Sequence, residues 1–244
     1  MDVVGIIPAR YGSTRLKAKA LADIMGKPMI QHIYERAKKA SVLDELIVAT
    51  DDERIKEAVD SFGGKAVLTA KQHTSGTERL AEVVFDLDVK IVINIQGDEP
   101  LIHSMMINEL AYTLMDDSSL LMATLKHKIK DSEDFKNPNV VKVITDKNNF
   151  AIYFSRSFIP NMLRKKLNYW IDVYKHIGVY AYTKDFLLTF KNLTPLQLEK
   201  AEALEQLRAL EHGYKIKVIE TQYDTISVDT KKDLIAVTKL LQNS

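Results

Sequence analysis

The stretch KIVINIQ at residues 90–96 places isoleucine or valine at four of its seven positions. A continuous apolar run of this length is typical of a strand buried on both faces, as in a parallel sheet covered by helices. Comparable runs recur along the chain. They predict strands at residues 3–7, 46–50, 66–69, 91–96, 120–125, 140–145, 151–155, 177–182, 216–220 and 226–228.

Amphipathic segments separate these runs. Their apolar spacing, caps and terminal glycines predict helices at residues 28–40, 51–64, 75–87, 196–213 and 230–242. Alternation of strand and helix through residue 90 predicts a doubly wound α/β fold. Residues 140–157 instead indicate a hairpin with its turn at 146–149, so we expect a mixed sheet.

The chain is expected to form a single domain over residues 1–244, with a hairpin-containing arm at about 131–185 that acts as a lid or dimer contact. The basic segment 161–170 is predicted to be a loop.

Composition excludes several classes of protein. The absence of cysteine rules out disulfides, thiolate metal sites and cysteine nucleophiles. A formal net charge of +1 argues against nucleic-acid and membrane-surface binding. Neither a signal peptide nor a long apolar segment is evident, so we expect a cytoplasmic protein.

A basic loop follows the first predicted strand. The stretch IIPARYGSTRLKAKAL, residues 6–21, contains Arg10, Arg15, Lys17 and Lys19. Loops in this position bind phosphate in open α/β folds, although neither the P-loop nor the dinucleotide fingerprint is present. Several cations suit a polyphosphate. The alternative is a solvated basic loop.

Two aspartates follow predicted strands. Asp98 lies in NIQGDEP, residues 94–100, and Asp229 in SVDT, residues 227–230. Together they suit Mg²⁺, which binds one or two carboxylates with phosphate oxygens and water, provided that the fold joins them. Taken singly, Asp98 fits a turn and Asp229 fits a helix cap.

Further polar side chains could bind an acidic sugar. Arg156 follows one predicted strand, Lys175 and His176 precede another, and Glu205 and Gln206 lie off the leucine stripe of residues 196–213. The alternatives are a basic cluster at a sheet edge and a solvated helix face.

In combination, these segments resemble the 3-deoxy-manno-octulosonate (Kdo) cytidylyltransferase family, also called CMP-Kdo synthetases. The resemblance runs from residue 3 to about 240. It is carried by IIPARYGSTRL, GKPMIQHIYERA, VATDDERI, SGTERLAE, NIQGDEPLI, NVVKVITD, AIYFSRSFIP, KHIGVYAY, LEKAEALEQLRALEHGYKIKV and SVDTKKDL.

The resemblance implies a Rossmann-like nucleotide-diphospho-sugar transferase fold and a homodimer. The implied reaction converts CTP and Kdo to CMP-Kdo and pyrophosphate with Mg²⁺, for lipopolysaccharide synthesis. In this reaction the anomeric hydroxyl of the sugar attacks the α-phosphorus in line.

The same resemblance implies site residues. The implied catalytic residues are Arg10, Lys19, Asp98 and Asp229. The residues implied to bind the nucleotide are Ala9, Arg10, Lys19, Ser75, Gly76, Arg79, Gln96 and Asp98. Those for the sugar are Gln96, Arg156, His176, Tyr182, Glu205 and Gln206. The implied metal ligands are Asp98 and Asp229.

The basic loop departs from the usual family pattern. Lys17 and Ala20 replace prolines and Ala18 replaces a frequent glycine, which predicts a more mobile loop before nucleotide binds. Three alternatives stay open: an enzyme for the 8-amino analogue of Kdo, another CMP-acyl-sugar synthetase, and a nucleotide-binding protein without turnover.

Overall fold

A mixed β-sheet forms the centre of the protein in the computed structural model, which describes residues 1–12, 16–161 and 172–242. The strands are β1 Val3–Ala9, β2 Asp23–Ile24, β3 Lys27–Pro28, β4 Glu45–Thr50, β5 Ala66–Leu68, β6 Ile91–Asn94, β7 Met122–Lys128, β8 Lys142–Thr145, β9 Ala151–Ser155, β10 Tyr174–Thr183 and β11 Lys217–Glu220. The basic segment predicted to be a loop lies, apart from Asn161, outside the described residues.

Helices cover both faces of the sheet. They are α1 Met29–Ala37, α2 Glu53–Ser61, α3 Gly76–Val84, α4 Ser104–Asp116, α5 Ser132–Lys136, α6 Lys184–Phe190, α7 Gln197–Glu202, α8 Leu207–Glu211 and α9 Lys231–Gln242, with a 3₁₀ turn at Lys19–Leu21. The described helices include none that is both long and apolar enough to span a bilayer.

The order of the strands places the C-terminal ends of β1 and β6 side by side. The sheet runs β11-β7-β10-β6-β1-β4-β5, and β1 is parallel to both of its neighbours. The chain therefore builds outward from β1 on one side and then returns to its other side at β6. Ligands bind at such a reversal in open α/β sheets.

Burial of the central strands explains their sequences. Every residue of β6 is buried, and β1 is buried at all but one position. Two apolar clusters form, one on each face of the sheet. The predicted α/β class and the buried central strands are confirmed.

The predicted hairpin is also confirmed. Strands β8 and β9 pair antiparallel, and Asn149 adopts a left-handed conformation with φ of 59° in the turn. The side chain of Asp146 accepts hydrogen bonds from the backbone nitrogens of Asn148 and Phe150. Strand β10 is antiparallel to both β6 and β7, so the sheet is mixed as expected.

The predicted strand at 226–228 is wrong. This segment is irregular, because its polar groups bind the loop after β6 instead of a neighbouring strand. The backbone nitrogen of Val228 donates to the carbonyl oxygen of Asp98 at 2.8 Å, and the Ser227 hydroxyl donates to Glu99 at 2.6 Å.

The predicted helix at 196–213 is interrupted. Ala203 adopts a left-handed conformation with φ of 51°, which separates α7 from α8. The guanidinium group of Arg156 donates to the carbonyl oxygen of Glu202 at 2.8 Å and to that of Ala203 at 3.4 Å. A contact from a distant segment thus stabilises the carbonyls that the break exposes.

Gly97 is required by the close approach of β1 to the turn after β6. A Cβ atom at this position would clash with the carbonyl oxygen of Pro8, which is backbone and cannot move aside. We expect Gly97→Ala to lower the free energy of unfolding by about 2 kcal/mol in urea titrations. Gly12→Ala is the control, since its Cβ meets open space, and equal stability of the two variants would contradict this explanation.

Candidate active site

A cavity of about 270 Å³ opens at the adjoining ends of β1 and β6. Its walls are the loop after β1, the segment leading into α3 and the turn after β6. All the residues that the sequence assigns to a nucleotide line this cavity: Ala9, Arg10, Lys19, Ser75, Gly76, Arg79, Gln96 and Asp98.

The first turn of α3 faces the cavity. Ser75 caps the helix by accepting a hydrogen bond from the backbone nitrogen of Glu78 at 3.2 Å. Gly76 allows the helix to approach β1, since a Cβ atom there would lie 3.2 Å from Cγ of Pro8. The positive end of a helix dipole favours an anionic or polar ligand at this place.

Arg79 is held rigidly in the cavity wall. Its side chain is buried and donates to Oδ2 of Asp51 at 3.0 Å and to the hydroxyl of Thr69. Oδ1 of Asp51 accepts from the backbone nitrogen of Tyr11 at 3.3 Å. Asp51, which the sequence analysis missed, therefore links α3 to the basic loop.

Lys19 joins the two aspartates that the sequence left apart. Its Nζ donates to Oδ2 of Asp98 at 2.8 Å and to Oδ1 of Asp229 at 3.0 Å. Burial alone would lower the pKa of Lys19, but the charges and hydrogen bonds of Asp98 and Asp229 outweigh burial and raise it. The cluster therefore contains a charged ammonium group between two carboxylates.

Other side chains cap the start of α9, and Oδ1 of Asp229 binds Lys19. Thr230 and Asp233 exchange hydrogen bonds at the start of α9, with the Thr230 nitrogen 2.8 Å from Oδ2 of Asp233. The carboxylate of Asp229 points to Lys19 instead.

Ala18 explains why a glycine is frequent at this position in the pattern that the loop resembles. Its φ of 52° and ψ of 38° are left-handed, a conformation that costs a residue with a Cβ atom about 1–2 kcal/mol. Lys17 is exposed and does not line the cavity. Arg15 lies outside the described residues.

Most of the residues predicted for a sugar gather beside the cavity on one face of the sheet. Oε2 of Glu205 accepts from the Thr77 hydroxyl at 2.6 Å, and burial raises the pKa of Glu205. Oε1 of Glu205 forms an ion pair with Arg208 at 3.6 Å, and it and Nε2 of Gln206 are buried without a hydrogen-bond partner among the described residues. Such groups are rare in native proteins, and a role in binding is one reason for them.

Aromatic rings continue this region along β10. The rings of His176 and Tyr180 lie 5.3 Å apart, and those of Tyr180 and Tyr182 lie 5.9 Å apart. Burial raises the pKa of both tyrosines, with Glu205 adding to the effect. Tyr180, which the sequence analysis did not select, lies between the two predicted residues.

Arg156 is separate from this group. Besides the carbonyls at the α7–α8 break, its guanidinium group donates to the carbonyl oxygen of Pro138 at 3.3 Å. It does not line the main cavity.

His73 does line the cavity, although its spacing in the sequence gave no reason to select it. Its Nε2 contacts Glu82, and its Nδ1 lies 3.8 Å from Glu78. Its place in the stretch KQHTSGTER, just before the cap of α3, is the signal that could have indicated it.

Comparison with known proteins decides the family. The cytidylyltransferase family profile matches residues 4–216. The 3-deoxy-manno-octulosonate cytidylyltransferase of Geotalea uraniireducens is 54% identical, over 99% of this chain and 100% of its own. The chain belongs to the 3-deoxy-manno-octulosonate cytidylyltransferase family.

Two further relatives agree with this assignment. The Fusobacterium nucleatum enzyme of the same name is 53% identical, over 100% of this chain and 98% of its own. A solved structure of CMP:2-keto-3-deoxy-manno-octonic acid synthetase complexed with CTP superimposes with a TM-score of 0.93 at 43% identity, covering 100% of this chain and 99% of that one. The protein is thus a nucleotidyltransferase with the fold that the sequence predicted.

His176 gives this site a testable pH dependence. Burial lowers the pKa of its imidazole from 6.5 to about 3, so the folded protein holds it neutral. Below pH 6.5 the unfolded chain gains a proton that the folded chain does not, and stability falls as the pH falls. We expect His176→Gln to reduce the pH slope of the unfolding free energy by up to about 1.4 kcal/mol per pH unit between pH 6 and pH 4.

Urea titrations at several pH values provide this measurement. His212→Gln, at an exposed histidine, is the control and should follow the parent protein. An unchanged slope in His176→Gln would show that the imidazole is not held neutral by burial.

Proposed function

We propose that this protein transfers CMP from CTP to Kdo, releasing pyrophosphate. The observation that carries the proposal is the cavity at the ends of β1 and β6, where a capped helix start, a basic loop and the Lys19 cluster converge. A relative named for Kdo and a related structure complexed with CTP support the same substrates.

The nucleotide would bind along the cavity wall. Ala9, Ser75, Gly76 and Arg79 would contact cytosine and ribose, and Gln96 would lie between nucleotide and sugar. Arg10 and Lys19 would bind the triphosphate and stabilise the negative charge that develops on the departing pyrophosphate.

Asp98 and Asp229 would bind Mg²⁺. No group of three or more histidine and carboxylate side chains suited to a metal occurs in the ranges that the structure describes. Two carboxylates that already share a cationic group fit Mg²⁺, because this ion takes its other ligands from phosphates and water. Bound there, the metal would neutralise the triphosphate and lower the pKa of the attacking hydroxyl.

The sugar would bind next to the nucleotide, against His176, Tyr182, Glu205 and Gln206. Oε1 of Glu205 and Nε2 of Gln206 offer an acceptor and a donor to sugar hydroxyls. To bind the sugar, Arg156 would have to give up its hydrogen bonds to backbone carbonyl oxygens. The anomeric oxygen would form a bond to the α-phosphorus as the bond to the β-phosphate oxygen breaks.

We also propose that the chain is a single domain that forms a homodimer through residues of the 131–185 region. Strand β9 pairs with β8, and Ile152 on it is 59% exposed, which suits a contact with a second copy. Analytical ultracentrifugation should give twice the mass of one chain, and Ile152→Lys should shift it toward the monomer. A parent protein that sediments as a monomer would contradict this proposal.

The product would serve as the activated sugar donor for lipopolysaccharide assembly, made in the cytoplasm where CTP is available. Pyrophosphate release tests the reaction, with Mg²⁺, CTP and either Kdo, 8-amino-Kdo, sialic acid or no sugar. Release with Kdo supports the proposal. Release only with another sugar would overturn the assigned sugar, and CTP binding without release would indicate a non-catalytic protein.

The paired aspartates give a direct test of the metal site. Asp98→Asn and Asp229→Asn should each lower the rate of pyrophosphate release at least ~100-fold, because each removes negative charge where the cation binds. Asp117→Asn, at an exposed turn, is the control and should retain the parent rate. A near-normal rate in either site variant would remove that residue from the metal site.

A further inference from the structure

Glu99 is a buried carboxylate that the proposed reaction does not use. It is 4% exposed and follows Asp98 directly in the turn after β6. Burial, with repulsion from Asp98, raises the pKa of Glu99 to about 7. Keeping an acid in such surroundings is unfavourable unless it is hydrogen-bonded, so its partners are informative.

Both oxygens of this carboxylate bind one distant segment. Oε1 accepts from the hydroxyl of Ser227 at 2.6 Å, and Oε2 accepts from the hydroxyl of Thr225. Beside them, the backbone nitrogen of Val228 donates to the carbonyl oxygen of Asp98. Residues 225–228 are therefore attached to the turn that contains Asp98.

Asp229 is the next residue of that segment. Its carboxylate meets Lys19 opposite Asp98. The segment is irregular and has no sheet ladder to fix it, so its course depends on the backbone bond and burial of Val228 and on the hydrogen bonds of Thr225 and Ser227 to Glu99.

Lys175 forms an ion pair with the residue just before the same segment. Its Nζ, on β10, forms an ion pair with Oδ1 of Asp224 at 2.6 Å, and its side chain is largely buried. Its positive charge also acts on Glu99, which offsets part of the cost of burying that carboxylate.

We infer that Glu99 is a positioning residue that holds residues 225–228 so that the carboxylate of Asp229 faces that of Asp98. It would touch neither substrate nor metal. The inference rests on the proposed role of Asp98 and Asp229 in binding Mg²⁺.

The test compares Glu99→Ala with Glu99→Gln. Alanine removes both hydrogen bonds. Glutamine keeps one oxygen that accepts a hydrogen bond, and its amide nitrogen can donate a hydrogen bond to the oxygen of the other hydroxyl. The double variant Thr225→Val with Ser227→Ala removes the same two bonds from the other side. It also keeps the test decisive if Glu99→Ala does not fold.

Asn108→Ala is the matched control for lost stability. Asn108 is buried on α4, where it donates to Ser41 and accepts from the backbone nitrogen of Val42, so its loss also frees a loop. None of these contacts involves the segment of Asp229.

Two measurements distinguish a positioning role of Glu99 from a general contribution to stability. Electron paramagnetic resonance measures the dissociation constant of Mn²⁺ with CTP present, and steady-state kinetics measure KM for Kdo. We expect Glu99→Ala and the double variant each to weaken Mn²⁺ binding at least tenfold. Both should leave KM for Kdo within twofold of the parent value. Glu99→Gln should stay within threefold of the parent, and adding Glu99→Ala to the double variant should change Mn²⁺ affinity less than twofold.

Unchanged Mn²⁺ affinity in Glu99→Ala or the double variant, or equal weakening in Asn108→Ala, would overturn the inference. Equal losses of Mn²⁺ affinity in Glu99→Gln and Glu99→Ala would also overturn it, because they would show that the charge of Glu99 matters and its hydrogen bonds do not. Asp229→Asn distinguishes the two proposals. If it keeps full Mn²⁺ affinity, the metal site itself is wrong; if it loses affinity while Glu99→Ala does not, only the positioning role fails.

Discussion

The ammonium group of Lys19 between Asp98 and Asp229 is the interaction on which the site depends. The two carboxylates come from distant parts of the chain and would repel each other without a cation between them. Each is partly shielded from solvent, so their mutual repulsion is weakly screened. A nucleotidyltransferase can use this arrangement, because a place that requires positive charge also favours a metal ion, and a metal ion bound there would attract a polyphosphate.

The sheet provides the frame for that interaction. Reversal of the strand order at β1 brings Arg10 and Asp98 to one edge, and Gly97 lets the two strand ends pack closely. The start of α3 closes the cavity from the side, with Ser75 as its cap. The C-terminal segment then crosses to this edge, where Glu99 binds it. Local structure, packing and charge thus converge on one small volume.

Sequence patterns predicted the parts of the fold that local chemistry determines. Strands such as β1 and β6 are apolar because both faces are buried, and the β8–β9 turn contains the residues that such turns require. The break at Ala203 could not be predicted, since it depends on Arg156 from another part of the chain. The segment 226–228 has strand-like residues, yet its partners are side chains of a distant turn. The helix α4 also has apolar residues on its exposed face, namely Met105, Tyr112 and Met115, which obscured its periodicity.

The distinction between local chemistry and contacts from distant parts of the chain also applies to the site. Taken singly, the residue patterns around Asp98 and Asp229 fit ordinary turns and caps, and only the resemblance to a family put them together. Obtaining crystals with CTP and Mn²⁺ and locating the metal by anomalous scattering tests the central claim most directly. The account predicts a Mn²⁺ peak bound by both carboxylates, with Nζ of Lys19 moved to the triphosphate. A peak bound by the triphosphate alone, with Lys19 still between Asp98 and Asp229, would contradict it.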